Sequence, residues 1–154
     1  MKPEALPTNA KDMFCYGIYT ASHVVNRAYT PHLKRQGLTY PQYITLTLLW
    51  EQDGQKVTEL STQLRMKTST LTPLLKRLEV RGHLTRSRGK QDGREVIVHL
   101  TTMGRELQKL APDVTGCMVE GTSLTHDELT ALQGLLQKLS EGLEDTIFGS
   151  QISG

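Results

Sequence analysis

A mainly α-helical fold carrying one small β-hairpin is what this sequence predicts, and three observations predict it. Hydrophobic residues follow the helical period over most of the chain, the period drops to two at a single place, and positive charge gathers around that place. Residues 65–94 hold nine basic side chains against only Glu79 and Asp92, a balance of +7; the remainder holds nine basic and fourteen acidic groups, a balance of −5. The net charge of +2 hides this asymmetry. A basic segment so concentrated implies a polyanion partner, although charge alone leaves a solvated surface loop as the alternative.

The elements follow in order. Asn9 and Asp12 open a first helix in which Phe14, Ile18, Ala21, Val25 and Ala28 mark a buried stripe, up to an expected break at Pro31. Thr39 and Gln42 have the spacing of a capping box, with Pro41 in the first turn, and the helix they open carries Ile44, Leu48 and Leu49 before Asp53-Gly54 stops it. Thr58 caps a short third helix with Leu60 and Leu64 inward. Thr68 or Ser69 caps a fourth, whose Leu71, Leu74, Leu75 and Leu78 line one face, while Gly82 fits the left-handed position past its end. Pro73 within it predicts some distortion of the first turn.

The outer face of that fourth helix is Ser69, Thr70, Thr72, Lys76 and Arg77. A short helix, a tight turn and a second helix with a small-polar and basic face are the parts of a helix-turn-helix, whose second helix enters the major groove of double-stranded DNA. Next, Leu84, Thr85 and Arg86 lead into a turn at Gly89 to Gly93, and Val96, Val98 and Leu100 alternate with Ile97 and His99. This hairpin, tipped with Arg88, Lys90 and Arg94, reads as a wing placed to reach the neighbouring minor groove, with Arg94 braced by Asp92 and Arg86 on its first strand a further DNA-binding candidate. Two helices close the chain, about 102–120 and 126–147. The last opens with a Thr125 to Glu128 capping box and repeats Leu129, Leu132, Leu136, Leu139 and Leu143 at the spacing of a partner-helix seam.

These elements define a winged helix-turn-helix with N- and C-terminal helices forming a dimerisation layer. The expected organisation is a single domain over 1–154, with dimerisation helices at 9–36 and 102–147 and the DNA-binding region at 37–101. No run of eighteen apolar residues and no charged-then-apolar leader occurs, so a cytoplasmic protein with no membrane partner is expected. In such a compartment Cys15 and Cys117, 102 positions apart, read as buried thiols or a redox pair rather than a permanent disulfide. His23, His32, His83, His99 and His126 lack metal-ligand spacing, and no metal or cofactor is expected.

The stretch Leu71-Thr72-Pro73-Leu74-Leu75-Lys76-Arg77-Leu78-Glu79, followed by Asp92-Gly93-Arg94 and Val98-His99-Leu100-Thr101, resembles the MarR family of transcriptional regulators. Cys15, Tyr19, Tyr29 and the run Leu38-Thr39-Tyr40-Pro41-Gln42-Tyr43 are similar to its OhrR subgroup, the organic hydroperoxide sensors. The resemblance implies a homodimeric repressor on a palindromic operator. It implies that Cys15 is held as thiolate by the phenol groups of Tyr29, Tyr40 and Tyr19, is oxidised by a hydroperoxide to a sulfenic acid, and then forms a disulfide that releases DNA. Hydrogen bonds to a thiolate favour it over the thiol. Tyr29 lies 14 residues beyond Cys15, about 21 Å along a continuous helix, so any contact needs the other subunit or a chain reversal.

For Cys117 the resemblance implies the resolving thiol of two-cysteine members, inert burial being the alternative. Distance alone allows a bridge within one chain or across the two-fold axis; the resemblance favours the cross-subunit bond. Two other function classes stay open. Cys15 as the nucleophile of a thiol peroxidase would turn over peroxide steadily with a reductant, but an enzyme has no need of a basic helix and wing. A small phenolic ligand in the cleft between the dimerisation and DNA-binding layers would replace peroxide as the signal.

Overall fold

Local signals set most of the helix boundaries in the computed structural model of the chain, which describes residues 8–152. Asn9 accepts a hydrogen bond from the Lys11 N–H and caps a 3₁₀ turn, Ala10–Asp12, which runs into helix α1, Phe14–Leu33. Pro31 does not break α1. Its fixed φ is already helical, and the ladder resumes where the Lys34 N–H donates to the Thr30 carbonyl. The expected buried stripe of α1 is instead exposed: Phe14 is 65% accessible, and only Leu33 of the helix is fully buried.

Helix α2, Tyr40–Glu51, carries the capping box read from the sequence, with reciprocal bonds between Thr39 and Gln42. A two-residue strand β1, Gln55–Lys56, follows, which periodicity did not reveal. Helix α3, Val57–Leu64, is capped at Lys56 rather than Thr58, because Glu59 reaches back to accept the Lys56 N–H at 2.8 Å. Helix α4, Thr68–Val80, is capped at Lys67, so Thr68 and Ser69 lie inside it and Pro73 is its sixth residue, beyond the first turn. The proline therefore removes the bond to the Ser69 carbonyl within the helix body.

Strands β2, Leu84–Arg88, and β3, Val96–Leu100, pair antiparallel from Leu84 opposite Leu100 to Arg88 opposite Val96. β1 adds to the other edge of β3, Gln55 opposite Val98, giving the order β1-β3-β2. The expected helix over 102–120 is divided into α5, Thr102–Glu106, a 3₁₀ segment Leu107–Leu110, and α6, Ala111–Gly121. Helix α7, His126–Ile152, is capped by the Thr125–Glu128 box and runs past the expected end at 147.

The backbone divides into two compact units, Met1–Val114 and Thr115–Gly154. The core of the first is built from Leu33, Leu46, Leu49, Leu60, Leu71, Leu75, Leu78 and Val98, each with no accessible surface, closed by Leu84. Each such side chain contributes about 1.5–3 kcal/mol of burial, which fixes α2, α3 and α4 against the sheet. In the second unit α7 leaves four of its leucines exposed, Leu135 at 65% and Leu143 at 51% among them, with Leu129 and Leu139 half-buried. No helix among the described residues is long and apolar enough to cross a membrane.

Candidate functional site

The recognition segment is fixed from its buried side. Leu71, Leu74, Leu75 and Leu78 anchor α4, which leaves Ser69, Thr70, Thr72, Lys76 and Arg77 on its exposed surface. Its C-terminus closes in a Schellman arrangement: the His83 N–H donates to the Leu78 carbonyl and the Gly82 N–H to that of Glu79. Gly82 has φ +82°, the left-handed conformation a glycine adopts without strain. The turn delivers the chain directly into β2.

The wing tip is shaped by its own short-range bonds. The Gly89 N–H donates to the Glu95 carbonyl at 2.9 Å, and the Glu95 N–H returns to that of Asp92. The Asp92 carboxylate accepts the Arg94 backbone N–H at 2.9 Å, and Arg88 Nη1 donates to the Gly93 carbonyl at 2.9 Å. Asp92 thus fixes the backbone of Arg94 and leaves its guanidinium exposed. Lys90 is exposed at the same tip.

Several charges that composition groups together have distinct partners. Arg86 Nε and Nη2 both donate to Glu79 Oε2, at 3.0 and 2.8 Å, while Glu79 Oε1 accepts the Arg86 N–H. Arg86, read from the sequence as a DNA contact, thereby ties β2 to α4, and its guanidinium holds the Glu79 carboxyl below its usual range. Arg81 donates to the Gln36 and Gly37 carbonyls at 2.8 and 2.5 Å, joining the end of α4 to the α1–α2 turn. Gly37 has φ +60°, and a Cβ there would collide with that guanidinium.

At the base of the wing Lys56 Nζ lies 2.7 Å from Glu95 Oε1, a pair that raises the lysine pKa. Asp53 joins β3 to α5 by accepting the Leu100 N–H at 2.8 Å and Arg105 Nη2 at 2.6 Å. Burial alone would raise the Asp53 pKa, but bonds from the Leu100 and Gly54 N–H groups and from Arg105 outweigh it and leave it lowered. None of these partners was found from sequence, because each pair joins residues of different elements. The nearest signal was Glu59 three positions after Lys56.

The sulfur and phenol groups divide differently. Cys15 is exposed near the start of α1, and Cys117 is exposed on α6. Tyr29 and Tyr40 come together, their rings stacked with centroids 4.3 Å apart, and Tyr43 lies 5.8 Å from Tyr29. Burial raises the pKa of both Tyr29 and Tyr40, and for Tyr40 the neighbouring phenols add to it, so each stays a protonated donor near neutral pH. Tyr19 is exposed and packs edge-on against His23. Because α1 is continuous, no chain reversal brings Cys15 to Tyr29, and about 21 Å of helix separates them. Among the described residues no cluster of His, Cys, Asp and Glu could hold a metal ion.

A recognition helix fixed by a leucine core, followed at once by a basic-tipped hairpin, defines a winged-helix DNA-binding transcriptional regulator. Residues 27–110 match the family described as transcriptional regulator SarA/Rot, and relatives align over most of the chain. The chain belongs to the SarA/Rot family of transcriptional regulators. It is 40% identical over 140 residues to the HTH-type transcriptional regulator TtmR of Methylorubrum extorquens, covering 89% of this chain and 70% of that one. It is 34% identical to the regulator MgrA of Staphylococcus aureus, covering 90% and 95%. The solved structure of AbfR of Staphylococcus epidermidis superposes with a TM-score of 0.73 at 31% identity, covering 84% and 90% of the two chains. AbfR has been solved reduced and bound to DNA, overoxidized and bound to DNA, and with a disulfide formed.

Proposed function

We propose that this regulator is a homodimeric repressor whose reduced form binds a palindromic operator and is released when an organic hydroperoxide oxidises Cys15. The carrying observation is the geometry of α1. Cys15 and Tyr29 lie 14 residues apart, close to four whole turns, and so share one face of an unbroken helix. Two copies of α1 running antiparallel about a two-fold axis would bring Cys15 of one beside Tyr29, with its stacked Tyr40, of the other. The exposed apolar residues Ile18 and Val25 on α1 supply a surface for that pairing. The reduced AbfR on DNA and the disulfide-formed AbfR support the same reading, whereas the overoxidized AbfR, also on DNA, points to the disulfide as the releasing step.

In this scheme the Cys15 thiolate attacks the peroxide, taking one oxygen and leaving an alcohol once a proton is added. The resulting sulfenic acid condenses with the thiol of Cys117 on the other subunit, forming the disulfide and releasing water. On the DNA side, Ser69, Thr70, Thr72, Lys76 and Arg77 face the major groove. Arg94, held by Asp92, enters the minor groove, while Arg88 and Lys90 contact phosphates. A two-fold axis makes the operator palindromic, and half-sites about one helical turn apart are the spacing expected of such a dimer.

The test is DNA binding to the upstream region with and without an organic hydroperoxide, with non-reducing gels in parallel. The parent should bind when reduced, lose DNA on oxidation and migrate as a covalent dimer; Cys15→Ser should bind and ignore peroxide. Cys117→Ser should oxidise but form no dimer band. Arg94→Ala should lose affinity and still oxidise. Peroxide-insensitive binding by the parent would overturn the redox scheme, and an intrachain bridge would overturn the cross-subunit bond.

A further inference from the structure

Between α3, α4 and the wing lies a concavity of about 360 Å³ lined by Lys56, Thr58, Thr72, Arg86, Arg94 and Glu95, among others. Thr72 belongs to the outer face of α4 and Arg94 to the wing, so this hollow separates the two elements read as DNA contacts. Adjacent major and minor grooves are divided by one sugar-phosphate strand. A protein that places a helix in one groove and a hairpin in the next must therefore seat that strand on the surface between them. Here that surface is the concavity.

We infer that Lys56 is a DNA phosphate contact, and that its pairing with Glu95 poises the seat before DNA arrives. This rests on the DNA-binding reading above and names a residue that the sequence did not single out. Three observations carry it. Strand β1 pins Lys56 opposite Ile97, at the edge of the wing sheet and not in a loose loop. Its side chain, 42% exposed, stays accessible to a strand crossing the hollow, and Glu95 at 2.7 Å is its ion-pair partner. Thr58, exposed on the same wall at the start of α3, offers a hydroxyl that donates to phosphate oxygens without regard to sequence. Arg86 also lines the hollow, but its guanidinium is held by Glu79. Lys56 is the cation there that exchanges one carboxylate for a phosphate. An unpaired Glu95 would repel the strand, so the lysine both attracts phosphate and neutralises that repulsion.

The experiment compares the reduced full chain with Lys56→Gln, Lys56→Arg and Glu95→Gln, on a duplex from its own upstream region and on a scrambled duplex of equal length, across a salt series. Lys56→Gln should weaken binding to both duplexes by the same factor and make the slope of log affinity against log salt shallower by about 1. Lys56→Arg should keep the parental slope, which separates loss of charge from loss of fold. Glu95→Gln should tighten binding to both duplexes. An unchanged slope in Lys56→Gln, or a loss confined to the upstream duplex, would overturn the phosphate assignment while the parent still binds. A parent that binds neither duplex would instead overturn the DNA-binding reading itself.

Discussion

Helices α4 and α7 carry leucines at the same spacings of three and four, yet the chain treats them oppositely. In α4, Leu71, Leu75 and Leu78 have no accessible surface, whereas in α7 Leu132, Leu136 and Leu143 are 43%, 38% and 51% exposed. The α4 leucines are enclosed within the first unit; those of α7 form a stripe that is largely exposed in the second. Periodicity reports that a stripe exists and is silent on what covers it.

The sharpest way to break this contrast is to substitute one leucine of each kind. Leu75→Ala should lower unfolding stability by about 3 kcal/mol, read from urea denaturation, because a fully enclosed side chain leaves a cavity. Leu136→Glu should leave the urea transition of the reduced chain at high concentration almost unmoved. It should raise the self-dissociation constant at least about tenfold, read by sedimentation, by placing a charge where a second copy of α7 would pack. A Leu136→Glu protein that self-associates like the parent would show that the α7 stripe has no partner of its own kind.

Smaller effects sharpen the DNA-binding side. Glu79→Gln releases Arg86 from the α4–β2 junction. Because Glu79 and Arg86 are both partly solvated, at 33% and 24%, the expected loss is only about 0.5–1 kcal/mol, measured as a shift in melting midpoint. The smallest effect is on the pH profile of stability. Burial, with the nearby Arg81 charge, lowers the His83 pKa, so the unfolded chain takes up that proton first. Its share of stability is complete above about 6.5 and declines as pH falls below that value. Asp53 and Glu79, both lowered, keep their share above the ordinary carboxylate range and lose it as pH falls through their depressed values. Melting midpoints should therefore show a shallow decline below pH 6.5, absent in His83→Asn, and a steeper one below about 4.

What was legible in the sequence was whatever a few neighbouring residues decide. Thr39 with Gln42, Thr125 with Glu128, and Gly82 after the α4 leucines each carry their structural partner within a few positions. The hairpin was legible because its alternation spans both strands. Strand β1 was not, since two residues have no period and its partner β3 lies about 40 positions further on. The break expected at Pro31 failed because the proline sits in the last turn, where the helix loses one bond and continues. In the candidate site, the outward residues of α4 were readable from the inward leucines. The pairing of Arg86 with Glu79 was not, because whether a cation faces solvent or a carboxylate seven residues away depends on the α4–β2 turn. The stacking of Tyr29 on Tyr40 was likewise out of reach, being set by how α1 meets α2.

Trp50 is the sole tryptophan of the chain, and its surroundings make it an optical gauge. Its indole N–H donates to the Gly104 carbonyl of α5 at 2.9 Å, and its ring meets Tyr43 edge-on with centroids 5.7 Å apart. Tyr43 in turn neighbours Tyr29, so a short aromatic relay links the end of α1 to the indole. Emission from this one fluorophore is then sensitive to any rearrangement that loosens α2 from α5 or shifts the phenols. Titrating the unlabelled protein with peroxide or with DNA while following that emission gives a direct optical record of whether the two events move the same part of the chain.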